Sequence, residues 1–129
     1  MRAALLILLG LAIGALGTVF AMNALRERNP LPHAVMVVMG HHMGALQRAR
    51  KAQQCGAVQN LQQLQLMQAT AADIDDAFPD APTGFGEAAT HLRTALQSAA
   101  QAAPADCPTL ATALKPVGEA CESCHQQYR

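Results

Sequence analysis

Aromatic side chains are nearly missing from this sequence, which has three phenylalanines, one tyrosine and no tryptophan in 129 residues. A core built by such a chain comes from Leu, Met, Val and Ala, or from an aromatic group supplied from outside. An excess of charge of either sign is missing as well. Nine basic and nine acidic residues cancel to a formal charge of zero, which excludes a basic field for nucleic acid and an acidic tail. No alternating pattern marks a strand, no segment repeats, and no glycine-rich loop offers to cradle a phosphate. No nucleophile–base pair or carboxylate dyad has a supporting context, so enzymatic catalysis is not expected. What remains abundant is Ala and Gln, both of which tolerate helix. The length fits one domain.

The longest uncharged stretch is at the N-terminus. Arg2 precedes an apolar run from Ala3 to Leu25, and Arg26, Glu27 and Arg28 close it. As a helix the run is about 35 Å long, enough to cross a bilayer. It reads either as an uncleaved anchor or as a signal peptide cut after Ala21, where Val19 and Ala21 are small enough for a peptidase. Its length favours the anchor. Residues 1–28 are therefore an anchor or signal segment and residues 29–129 the folded domain.

Pro30 and Pro32 are expected to break any helix leaving this segment. From His33 onward Met36, Met39, Met43, Leu46 and Arg50 follow helical spacing, with Val35, Val38, Ala45 and Ala49 beside them. Cys55-Gly56 is the expected stop, with Gly at the C-cap. A second helix is expected from about Ala57 to Ala77, with Leu61, Leu64, Gln68 and Ala71 inward; Asp73, Asp75 and Asp76 suit its end poorly and predict fraying. A third runs from about Phe85 to Ala103, with Ala88, Leu92, Ala95, Leu96 and Ala99 inward. A fourth runs from about Pro108 to Tyr128 and carries Leu110, Leu114, Val117, Cys121 and Cys124 on one face. Pro116 should bend it or delay its start. Four such helices with short loops make an all-α, antiparallel, up-down-up-down four-helix bundle.

The chain ends in GEACESCHQQYR. Cys121-Glu122-Ser123-Cys124-His125 has the spacing that attaches c-type haem. Residues three apart share a helix face, so both sulfurs can reach the two vinyl groups on one porphyrin edge, and His125 can offer its imidazole to the iron. Zinc, a redox dithiol and a plain disulfide are the rivals. Zinc usually brings a second close cysteine pair, a thioredoxin-like dithiol follows a strand, and a disulfide leaves His125 unexplained. Cys55 and Cys107 fall in the two loops at the other end of an up-down-up-down bundle. They are expected to face each other there and, in an oxidising compartment, to bond.

From Gly118 to Arg129 the sequence resembles the C-terminal signature of the class II c-type cytochromes, the cytochrome c′ family, and AVMVVMGHHMGAL (Ala34 to Leu46) resembles that family's first helix. The resemblance spans about Pro32 to Arg129. It implies one covalent haem c, with Cys121 and Cys124 as thioether anchors, His125 as axial ligand, and Arg129 near the propionates. The position matching the family's distal residue is Met36. A methionine there implies six-coordinate iron suited to electron transfer; an apolar residue implies five-coordinate iron that binds gases such as nitric oxide. Read from the helical stripe alone, Met36 is a core residue. His41 and His42 lie five and six residues on and point away; His33 could lie near a propionate, and His91 has no evident role.

The chain departs from the family in three places. Pro32 stands where an arginine often reaches a propionate, leaving Arg28 as a substitute. The second loop lacks the usual aromatic residues, which implies a more exposed haem edge. An anchor is not typical of soluble members. The expected function is a periplasmic, inner-membrane-anchored carrier of single electrons between protein redox partners, with a gas-binding haem protein as the alternative. A homodimer stays open as the assembly.

Overall fold

The computed structural model describes residues 2–26 and 30–128, with side chains described for 7–25 and 30–128. The chain divides into two compact units, Met1–Pro30 and Leu31–Arg129. The first holds one helix, α1 (Arg2–Arg26), whose segment Ile7–Leu25 has a mean hydropathy of 1.9 and none of its surface buried. By length and composition it can cross a membrane; a signal sequence passes the same test.

The second unit holds α2 (Leu31–Lys51), α3 (Ala57–Ala72), the short α4 (Ile74–Ala77), α5 (Phe85–Gln101) and α6 (Cys107–Tyr128). No strand occurs among the described residues. Helix α2 packs on α3, α3 on α5 and α5 on α6, while α6 and α2 meet over the least extensive of these contacts. This is the four-helix bundle, closed weakly between its first and last long helices. Its core is aliphatic: Leu46, Leu64, Met67, Leu96, Leu110 and Val117 are fully buried, each contributing about 1.5–3 kcal/mol relative to exposure.

Several local expectations are corrected. Pro32 does not end a helix; it sits in the first turn of α2, where its missing N–H costs no bond. Gly56 does not stop α2. The left-handed residue is Gln53, with φ 55°, and the Gln54 and Gln53 N–H groups donate to the carbonyls of Ala49 (2.9 Å) and Arg50 (3.2 Å), a Schellman closure. Gly56 instead precedes α3 in extended conformation, with φ −87°. Pro116 lies inside a continuous α6 with its side chain exposed.

The inward stripe of α3 is Asn60, Leu64, Met67 and Ala71 rather than one through Leu61 and Gln68. Asn60 is buried because its Nδ2 donates to the Pro104 carbonyl at 2.9 Å, tying α3 to the loop before α6. The acidic run expected to fray the second helix breaks it at Asp73, so Asp75 and Asp76 open α4 instead, where negative charge is favourable. Arg93 of α5 fastens this break by pairing with Asp75 at 3.1 Å and donating to the Ala71 carbonyl at 3.4 Å.

At the start of α6, the Asp106 carboxylate accepts from the Thr109 N–H (2.8 Å) and hydroxyl (2.7 Å). These bonds hold its carboxyl below the usual range and cap the helix. Cys107 follows at once, joined in a disulfide to Cys55 with a Cα–Cα distance of 5.1 Å.

Candidate functional site

The disulfide leaves Cys121 and Cys124 as the free cysteines. Cys107 and Cys124 are 124 − 107 = 17 residues apart on one helix, about 26 Å along its axis. That is somewhat less than the full helix length expected from topology, and still too far for the two cysteine pairs to exchange.

At the Cys124 end, the four long helices of the bundle contribute to one apolar cavity of about 200 Å³. Its walls come from Met36, Met39 and Met43 of α2, Met67 of α3, Ile74 of α4, Phe85 and Leu92 of α5, and Cys121, Cys124 and His125 of α6. The antiparallel order explains the gathering, since the start of α2, the end of α3, the start of α5 and the end of α6 share one end of the bundle. Met39, Met67, Ile74 and Phe85 are buried, Met36, Met43, Cys121 and Cys124 are half-buried, and His125 is exposed.

Along the loose α2–α6 seam the space continues as an open cleft of about 520 Å³ lined by Met43, Gln47, Gly118, Cys121 and His125. Alone, the cavity is smaller than the about 300–1,000 Å³ of a usual ligand site; with the cleft it is not. Apolar space of this kind, in a bundle short of aromatic residues, with two thiols, an imidazole and methionine sulfurs on its wall, fits a haem; the one carboxylate nearby, Glu122, lines the open cleft and not the cavity.

The donor chemistry disfavours the rivals. Burial, and secondarily the charge of Cys124, pushes the Cys121 thiol up, and burial pushes Cys124 up. A reactive dithiol needs thiols that lose their protons readily. Among the described residues, no three His, Cys, Asp or Glu side chains converge as a metal cluster would require.

The structure thus brings Cys121, Cys124, His125 and Met36 to one cavity. Arg129 and Arg28 lie outside the described residues. His33 is exposed. His41 and His42 face away from the cavity, edge to face at 5.3 Å, and His42 Nδ1 donates to Gln63 Oε1 at 2.7 Å. His91, without an evident role in the sequence, lines a separate open cleft with Glu87, Tyr128 and Cys124.

The loop expected to lack aromatic cover is bracketed by Phe78 and Phe85. Phe85 packs on Phe78 with the rings tilted by 45° (ring centroids 5.0 Å) and meets Tyr128 edge-on (5.4 Å). All three aromatic residues of this unit therefore gather beside the cysteine motif. Sequence reading missed Met67, Ile74 and Phe85 as cavity walls; their signal was clustering of the rare aromatics and the true phase of α3.

In comparison with known families, residues 80–129 match the model of the cytochrome c′ family. That match, confined to residues 80–129, supports the class II c-type cytochrome family. The matched part begins beyond α4 and covers α5, α6 and the cysteine motif, so Met36 and the rest of α2 stand outside it. No curated protein and no solved structure matched the chain. Members of this family are haem c proteins of electron transfer or gas binding and are typically periplasmic, and α1 is compatible with export.

Proposed function

We propose that this class II cytochrome carries single electrons between protein redox partners at the periplasmic face of the inner membrane, held there by an uncleaved α1. In this reading one haem c would be held covalently through Cys121 and Cys124, and His125 and Met36 would hold its iron. The observation that carries the proposal is that these four side chains line the same apolar cavity.

Haem c, when bound, supplies a one-electron couple between ferrous and ferric iron. The chain's own residues decide how that couple is used. Cys121 and Cys124, three apart on α6, present both sulfurs from one helix face, and burial pushes both thiols up. His125, on the exposed side of the same turn, keeps an imidazole nitrogen available. The buried Met39, Met67, Ile74, Phe85 and Leu92 exclude water, which disfavours the more charged oxidised state. Met36, only half-buried, can turn its thioether toward the cavity, and a His/Met pair raises a haem's reduction potential.

A gas-binding centre is the second reading. It is favoured by the company Met36 keeps, since Met39, Met43 and Met67 wall the same cavity and methionine fills such walls well without a metal.

Spectra of the holoprotein separate the two. The carrier reading expects a sharp α band when reduced and a weak near-infrared sulfur-to-iron band when oxidised. Met36→Ala should remove that band and give a high-spin form that takes up carbon monoxide. A wild type that is already high-spin and binds nitric oxide readily would instead establish the gas-binding reading.

A further inference from the structure

The outward face of α2 carries a pattern that neither the core nor the haem site uses. Opposite the buried Val35, Met39 and Leu46 lie the exposed Ala34, Val37, Val38, His41, Arg48 and Lys51. Val37 is 54% and Val38 40% exposed. The face thus carries Ala34, Val37 and Val38 beside the exposed His33 and His41 in its first turns and cations in its last, and none of the 21 residues of α2 is acidic. Only residues 27–30 separate α2 from α1 in the chain. At about 3.5 Å per residue, so short a connection tethers the start of α2 near the surface of any membrane that α1 spans.

An exposed apolar strip with cations and no acid is the composition of a helix lying in a membrane interface, and anionic headgroups attract such cations. A second copy of the chain fits less well, because neither α2 would offer an acid to the other's cations.

We infer that the outward face of α2 rests on an anionic lipid surface, with Val37 and Val38 at the acyl boundary and Arg48 and Lys51 on headgroup phosphates. The inference rests on the reading that α1 is kept as an anchor. It has a consequence for the haem site. The cavity residues Met39 and Met43 occupy the other side of the helix, so the contact leaves α5 and the cavity end of α6 open to a protein partner.

The test uses the full-length reduced holoprotein, in which the haem and the disulfide occupy all native cysteines. One added cysteine carries a nitroxide label, either Val37→Cys or, as a control on α5, Thr94→Cys. The protein is placed in phosphatidylcholine vesicles with and without phosphatidylglycerol, and relaxation by oxygen is compared with relaxation by a water-soluble nickel chelate.

With phosphatidylglycerol, the label at position 37 should be reached by oxygen and shielded from nickel, while that at 94 stays open to nickel. Arg48→Glu with Lys51→Glu should abolish the contrast without altering the haem spectrum. A label at 37 open to nickel in vesicles that carry the protein overturns the inference and leaves the anchor standing. Spin–spin coupling between labels at 37 overturns it in favour of a second copy. Protein that does not float with either kind of vesicle removes the anchor and the inference together.

Discussion

Gly84 fixes the turn that delivers α5 to the cavity. Its φ is 89°, and a Cβ added there would lie 2.8 Å from the Tyr128 hydroxyl. An L side chain in that conformation costs about 1–2 kcal/mol, and Tyr128 would have to move as well. Tyr128 packs on Phe85, and Phe85 walls the cavity. Gly84→Ala should therefore destabilise the fold by about 1–2 kcal/mol, read as a lower Tm in thermal melting; an unchanged Tm would contradict the conformation given to this turn. At this scale the sequence was most legible where chemistry depends on adjacency. Cys121, Cys124 and His125 are near neighbours on one helix, so their meeting needs no tertiary fold. Met36 was placed by likeness to a helix, and only the folded bundle brings it to the same cavity. Asn60 was not legible at all, because the carbonyl that makes its burial tolerable belongs to Pro104, 44 residues away.

Among the elements, the four long helices were legible from their apolar spacing, and their ends less so. A helix end is decided by a few local bonds, such as those from Gln53 and Gln54 back to Arg50 and Ala49, and any residue able to enter the left-handed region can make them. The phase of α3 was misread because a polar residue occupies a core position. The pairing of Cys55 with Cys107 was legible because it follows from topology: in an up-down-up-down bundle both loops lie at one end. The disulfide spans a sequence separation of 52 residues, and closing such a loop is worth about 4 kcal/mol in the chain-entropy model. Replacing both cysteines, Cys55→Ser with Cys107→Ser, should lower Tm by on the order of 20 °C for a domain of this size. The haem spectrum should not change, because the bond lies about 26 Å from Cys124 along α6. An unchanged Tm, or an altered spectrum, would contradict the division of the bundle into a clamped end and a haem end.

In the molecule as a whole, the chain joins an apolar helix long enough to span a membrane to a bundle whose open seam leads to a two-cysteine, one-histidine site. The scarcity of aromatic residues fits both parts: the three in the bundle cluster at the site, and elsewhere the core is aliphatic. The central claim is that a porphyrin completes this core through permanent bonds to Cys121 and Cys124 while α1 stays in place. The intact mass of the denatured, acid-acetone-extracted protein from the membrane fraction tests it most directly. The account predicts the mass of the full-length chain plus one haem. A chain of full length without added haem mass would contradict the covalent site, and a chain lacking its first 21 residues would contradict the anchor.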